Sequence, residues 1–515
     1  GGYNVAIGTF TGRVVSSGVS NVLVGYSSGY DLTTGSYNVC IGDRTGRLLF
    51  AGAENTLVGH QTGYNLNGGD YNTCVGFKNL FQASSGQFNT SLGFAALNKY
   101  TGDFSVAVGA YALFACTSGA RNTAVGYQAL FSLNTGIDNT AVGQMALTSV
   151  TNGKYNVGVG YLAGSNINSG EFNVAVGRSS LMAVTSGSYN IGIGYDAFQA
   201  VSTSGFNTGV GGSVGVYQTG NYNTAMGYFS QYGISGSSSG SYNTSIGYFA
   251  GAYNTGENNT FLGALAGRFN KAGSKNTIVG SQAADNADIT GSNNTSLGFG
   301  SAHNIATAAN NVYVGSDSGF LNGSSEGNVG IGYQALYNGQ GGGNIAIGRS
   351  AMANATTAGS NIAIGYSASG GASMTGTKNI SIGDAAGYNI TSGSNNILIG
   401  ANAGRTGSNN PGQLGSVTTL SNEIQMGNTS HSGAYIKISW TVTSDERDKT
   451  NIEEIPIGLD FINELKPIKY EFTNNREENT PDGIKRYGFK AQDILELEGE
   501  SPVIVKNHDP ESLKA

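Results

Sequence analysis

Proline is nearly missing from this 515-residue chain: there are six, and all lie after residue 410, at Pro411, Pro456, Pro467, Pro481, Pro502 and Pro510. Proline cannot donate to a backbone ladder, so its absence from the first four fifths fits an uninterrupted ladder there. Charge is scarce as well, at 11%. Residues 444–515 hold 17 acids and 10 bases, which leaves 15 of each sign in the preceding 443. A neutral stretch of that length has no electrostatic footprint for nucleic acid or an anionic membrane surface. No apolar run approaches the 18 or more residues of a spanning helix, so membrane insertion is not expected. Three cysteines, Cys40, Cys74 and Cys116, make no disulfide framework. Cys40 and Cys74 fall two repeats apart, roughly 9–10 Å by strand spacing and beyond disulfide reach. The four histidines, His60, His303, His431 and His508, form no metal-spaced cluster with them. Free thiols, no structural metal and no cofactor are the expectation.

What is present is one pattern, Asn-(Val/Thr/Ile)-x-(aliphatic)-Gly, starting at Asn4, Asn21 and Asn38 and continuing to Asn379 and Asn396, with Ser105 replacing Asn once. The 24 starts give 23 intervals, of which 16 are 17 residues long. A period of that size implies a solenoid, each repeat burying its apolar face against its neighbours. Glycine is frequent, 83 residues, but in register, which excludes collagen and disorder. At about 4.8 Å per coil, 24 coils span on the order of 115 Å.

Within a repeat, the β-branched residue after Asn and the aliphatic residue two further on share a face by strand alternation. That face is read as the core, and the small residue between them, such as Ala124, Ala175 or Gly192, as pointing away from it. Larger residues intrude there at Leu23, Leu57, Phe261, Tyr313 and Leu398. An aromatic-x-Ala segment, as in Tyr127-Gln128-Ala129, predicts a second short strand, and Thr34-Gly35 or Thr135-Gly136 a turn. The recurrent Asn is read as a stacked ladder rather than a ligand contact. The recurrent aromatics are read as packing rather than a carbohydrate platform.

The repeat resembles the head region of trimeric surface adhesins, whose strands read like Asn173-Val174-Ala175-Val176-Gly177 and wind as a left-handed parallel β-roll. The resemblance covers about 400 residues and implies a left-handed trimer, a homotrimer being the partner expected. After residue 404 the register dissolves, and Asn422-Glu423-Ile424-Gln425-Met426-Gly427 reads as one degenerate final coil. Then comes Ser444-Asp445-Glu446-Arg447-Asp448-Lys449-Thr450-Asn451-Ile452. It is similar to the start of the intramolecular chaperone domain that ends phage tail spikes, tail fibres and neck appendages. Residues 459–472 (LDFINELKPIKYEF) and 487–493 are similar to later blocks of that family.

The fold class expected is therefore all-β, a parallel β-solenoid of about 24 coils followed by a small α+β chaperone domain. The divisions are 1–405 for the shaft, 406–443 for the degenerate coil and neck, and 444–515 for the chaperone. The resemblance implies a domain that trimerises, templates the shaft and leaves by self-cleavage. Ser444 would be the nucleophile, Lys449 its general base and Thr443–Ser444 the scissile bond, a single-turnover serine peptidase. The chain opens inside a repeat and stops where the family continues into a closing helical segment, so a fragment at both ends is expected. The function expected is a structural and adhesive fibre or spike of a virion that attaches to a host surface glycan or protein. A cellular surface adhesin is the alternative, with location at the cell surface. A polysaccharide depolymerase ranks below it for want of recurrent carboxylate pairs. An ice-binding solenoid is set aside because Thr56, Thr73 and Thr90 share the face read as core. Receptor contacts are expected at irregular coils, above all the 20-residue interval from Asn223 to Asn243.

Overall fold

The computed structural model describes residues 2–405 apart from 238, 287 and 372, residues 418–428, and residues 458–498 apart from 472, 476–479, 482 and 484. It divides into two compact units, 1–433 and 434–515. The first is an all-β parallel solenoid. Its strands run from β1 (Val5–Ile7) through β24 (Ile397–Ile399) to β25 (Ile424–Met426), one per coil. All 25 form a single parallel sheet in which each strand pairs with its sequence neighbours, as Val157, Gly158 and Val159 pair with Val174, Ala175 and Val176.

The degenerate last coil is real: β25 pairs with β24, Ile397 opposite Ile424. Glu423 stands where Asn would, and its N–H still donates to Asn396 Oδ1 at 2.9 Å.

The facing of the strand is the reverse of the sequence reading. In every strand after the first, the second residue is buried and the residues on either side of it are half-buried or exposed. The small residue is therefore the core, and the β-branched and aliphatic residues point outward. The physical reason is the narrowness of the coil. A three-residue strand closed by tight turns brings the opposite wall close, so Ala107, Ala124, Ala141 and Ala175 fill the space. Larger interior residues occur where the opposite wall is glycine: a Cβ on Gly215 would lie 2.2 Å from the Phe198 ring, and one on Gly319 2.5 Å from that of Tyr313. Thr56, Thr73 and Thr90 accordingly lie on the outer face, fully exposed. The ground on which ice binding was set aside therefore falls. Against it there now stands the partner rank of that face, which is aliphatic or Met throughout.

The second predicted strand is not one. After the closing glycine the chain runs through turns in which alternate residues take left-handed φ, as Gln128 (+57°) and Leu130 (+51°) do around Ala129. Alternating hand curls the segment and turns Ala129 and Leu130 into the core. Its backbone still bonds from coil to coil, for instance Leu130 N–H to Ala146 O at 3.1 Å. The polar groups that a buried turn would otherwise strand are thereby satisfied. Closing glycines are a backbone requirement: Gly177 has φ +121°, and a Cβ there would sit 2.5 Å from Gly194 O in the next coil.

The Asn positions form an internal ladder. Asn173 donates its backbone N–H (3.0 Å) and its Nδ2 (3.1 Å) to Asn156 Oδ1, and Nδ2 also to Gly187 O at 2.9 Å. The Asn173 side chain thus ties the coil before it to the far turn of its own coil. Where Ser105 breaks the series, its Oγ accepts the Asn122 N–H at 3.1 Å, and the buried Tyr100 hydroxyl fills the vacated space and bonds to it.

The second unit is small and α+β. It holds helix α1 (Leu459–Glu464), strand β26 (Ile468–Tyr470) and helix α2 (Ala491–Glu498). Strand β26 pairs antiparallel with strand Arg486–Gly488, Lys469 opposite Tyr487. The sequence block 459–472 includes α1 and β26, the block 487–493 overlaps the partner strand and the start of α2, and Asp493 lies in the first turn of α2, where the helix dipole favours an acid.

Candidate functional site

Two surfaces carry functional potential. The first is the outer face of the sheet. The strand ends supply Val157 and Val159, Val174 and Val176, Ile191 and Ile193 in successive coils, all partly or fully exposed. At the far end Ile347, Ile364, Ile382 and Ile399 are each 37% exposed. Taken as three residues wide (about 10 Å) and 24 coils long (about 115 Å), the face measures on the order of 1,000 Å². A single partner in a standard interface contributes about 800 Å². Thr takes one of the two outward places in 11 of its 24 coils, and an aliphatic residue or Met holds the other throughout, a continuous apolar strip of the kind that marks an interaction surface.

Beside part of it runs an aromatic ladder, from the residue preceding the Asn in the coils that begin at Asn156 to Asn243. Tyr155, Phe172, Tyr189, Phe206, Tyr222 and Tyr242 stack with centroids 4.7–4.9 Å apart and planes within 4–16°. Each ring face is covered by the next ring, so edges rather than faces meet solvent, although the rings stay 39–57% exposed. A sugar platform needs free faces; this ladder uses them on itself, as the packing reading has it. A shallow groove of about 350 Å³ runs along the ladder, lined by Ser186, Ser188, Thr203 and Asn221 together with Tyr189 and Phe206.

Among the described residues, four acid–base side-chain pairs bridge neighbouring coils of the shaft. Arg121–Asp138 (2.7 Å), Arg268–Asp285 (2.8 Å), Lys271–Asp288 (2.7 Å) and His60–Asp43 (3.0 Å) each join residues 17 apart, one coil to the next. Burial pushes the Asp285 carboxyl up despite Arg268 and His303 beside it. No group of three or more His, Cys, Asp or Glu side chains is placed to hold a metal among the described residues. Nor is any described helix long and apolar enough to cross a membrane. Cys40, Cys74 and Cys116 are buried free thiols, and burial raises each to about 12.

The irregular coils behave as insertions. In the 20-residue coil, Gly233 and Gly236 take left-handed φ of +88° and +77°, and a Cβ on Gly236 would meet open space. Sequence reasoning found this projection but not the outer apolar face, because strand alternation names two faces without saying which is inside.

The second surface is the C-terminal unit. Leu459 and Ile462, three apart on α1, are exposed, as are Tyr487 and Phe489, and Ala491 is the one buried hydrophobic residue among those described. Thr443, Ser444 and Lys449 lie outside the described residues.

No curated protein matches the chain. Residues 444–501 match the family model described as the chaperone of endosialidase, a match that begins at Ser444. A long β-solenoid shaft followed by that C-terminal region is the arrangement of a tail spike or tail fibre with a C-terminal chaperone.

Proposed function

We propose that the chain is one of three in a virion fibre or spike that attaches to a host surface, assembled by its C-terminal chaperone and then released from it. The outer sheet face carries the reading. An aliphatic residue or Met recurs there in every coil, on a shaft with balanced charge, so another copy of the same face is the partner whose chemistry matches it along the whole length. The exposed Leu459, Ile462, Tyr487 and Phe489 of the C-terminal unit point the same way, toward a domain that finishes its core with other copies. The left-handed winding implied by the adhesin resemblance belongs to the same proposal.

A repeat of near-identical coils specifies register weakly, since a shift of one coil opposes similar residues. A domain that associates first fixes register before the sheets meet, and its removal leaves the assembled shaft kinetically trapped. Removal falls to Ser444: Lys449 takes the hydroxyl proton, Oγ attacks the Thr443 carbonyl, the C–N bond breaks as Lys449 returns the proton to the Ser444 nitrogen, and water hydrolyses the resulting ester to free Thr443. A lysine serves as base when desolvation or nearby cations depress its pKa. The start of the family match at Ser444 supports this placement.

Intact mass and solution mass of the chain beside Ser444→Ala test the proposal. The expected result is a three-chain fragment ending at Thr443 for the parent and an uncut chain for the variant. An uncut parent that still forms three-chain particles removes the cleavage assignment alone. Uncut monomers for both remove the whole reading.

A further inference from the structure

Outward residues are not distributed evenly along the face. Strands Thr208–Val210, Thr224–Met226, Thr244–Ile246, Thr260–Leu262, Thr277–Val279 and Thr295–Leu297 all begin with Thr. From Val312 onward no strand of the sheet has Thr in it. Four consecutive strands then carry Ile at both outward places: Ile345 and Ile347, Ile362 and Ile364, Ile380 and Ile382, Ile397 and Ile399. Only Ile191–Ile193 elsewhere does so, and alone. The four strands are the last before the degenerate coil and precede the matched chaperone region in sequence.

We propose that these four coils are the clamp by which copies of this chain first join their shafts and stay joined after the chaperone leaves. Burial of apolar surface is roughly additive in area, and each added methylene counts for about 0.8 kcal/mol. An Ile/Ile coil therefore holds a partner face more strongly than a Thr/Val coil, and twelve pairs of such outward places act together in three chains. Interior packing does not explain the preference, because the interior residues of these coils are Ala346, Ala363, Ser381 and Leu398, which vary while the outward Ile do not. Zipping would start where register is set and run toward the N-terminus through the weaker Thr coils.

The inference rests on the reading of the shaft as a self-associating fibre, and its test separates the two. The full chain is compared with a quadruple variant, Ile347→Thr, Ile364→Thr, Ile382→Thr and Ile399→Thr. A matched control changes Ile41, Ile193, Ile246 and Ile331, at the same outward place in other coils, to Thr. Light scattering gives the number of chains, and the rate of dissociation in detergent gives the strength of the joint. Amide hydrogen exchange resolved by coil reports whether the substituted coils are folded in each protein, since a long repeat array need not unfold as one unit. The expected result is a parent of three chains, a clamp variant that dissociates at least about tenfold faster or is monomeric with the backbone amides of its substituted coils still protected, and a control close to the parent. Equal loss in both variants, or no loss in the clamp variant, overturns the clamp and leaves the fibre reading standing. A monomeric parent overturns both.

Discussion

Phe261 fits inside its coil because Gly267, six residues on, has no side chain: a Cβ on that glycine would sit 2.2 Å from the ring's Cδ1. Gly251 closes on the other side of the ring, with a Cβ position 2.5 Å away. The interior is thus a volume shared between strand and turns, so a large residue in one requires none in the other.

Gly267→Ala should open coils around residues 244–283, since it adds this clash to the strain of a non-glycine residue at φ +56°. Phe261→Ala should cost about 3–5 kcal/mol locally from cavity formation. Phe261→Leu with Gly267→Ala should recover part of the loss, a coupling of about 0.5–3 kcal/mol in a double-mutant cycle. Amide hydrogen exchange resolved by coil is the measurement, because a long repeat array need not unfold as one unit. Strict additivity of the two changes would contradict the shared-volume account.

Asn173→Ala leaves the Asn190 N–H and Nδ2, 3.0 and 3.1 Å from the lost Oδ1, without that acceptor, and Gly187 O without its donor. Each buried unsatisfied group costs about 1–3 kcal/mol, so exchange in the flanking coils should speed by several orders of magnitude. Asn173→Ser should be milder, because Ser105 already performs the acceptor role toward Asn122. Equal effects of Ala and Ser would show that the ladder oxygen is not the stabilising atom.

The three cysteines should resist alkylation at pH 8 in the folded shaft and all react after denaturation, since thiolate formation is suppressed by burial. Their pH linkage has one sign. Each thiol rises from 9.0 to about 12 on folding, so the stability it contributes is complete below pH 9 and is lost as pH climbs toward about 12. Replacing all three by Ala should flatten that part of the stability–pH curve. Rapid alkylation of native protein would place the thiols outside the core.

Arg121 holds the Asp138 carboxyl below its ordinary 3.8 through a side-chain hydrogen bond, with opposite charge adding to it. Stability from this pair is present above pH 3.8 and fades as pH falls through the lowered value. Both groups face solvent, so salt should screen the effect. An NMR titration of Arg121→Gln should return Asp138 to the ordinary range; an unchanged midpoint would assign the shift elsewhere.

The solenoid, its parallel stacking, its coil boundaries and even its final degenerate coil were legible in the spacing of Asn and Gly. Both are backbone signals: Asn must stand above Asn to share Oδ1, and Gly177 must be glycine to let Gly194 O approach. The chaperone segment was legible as a motif from Ser444, where the family match begins. The spacing could not show which side of each strand is inside. Alternation marks Val174 and Val176 as one face and Ala175 as the other, and hydrophobicity alone assigns the larger pair to the core. Only the closed coil decides otherwise, because left-handed residues such as Gln128 and Leu130 fold the return segment so tightly that the interior takes Ala, or a larger residue where glycine faces it, as Gly267 faces Phe261. The sequence determined the ladder, and the width of the coil determined that its apolar side faces outward.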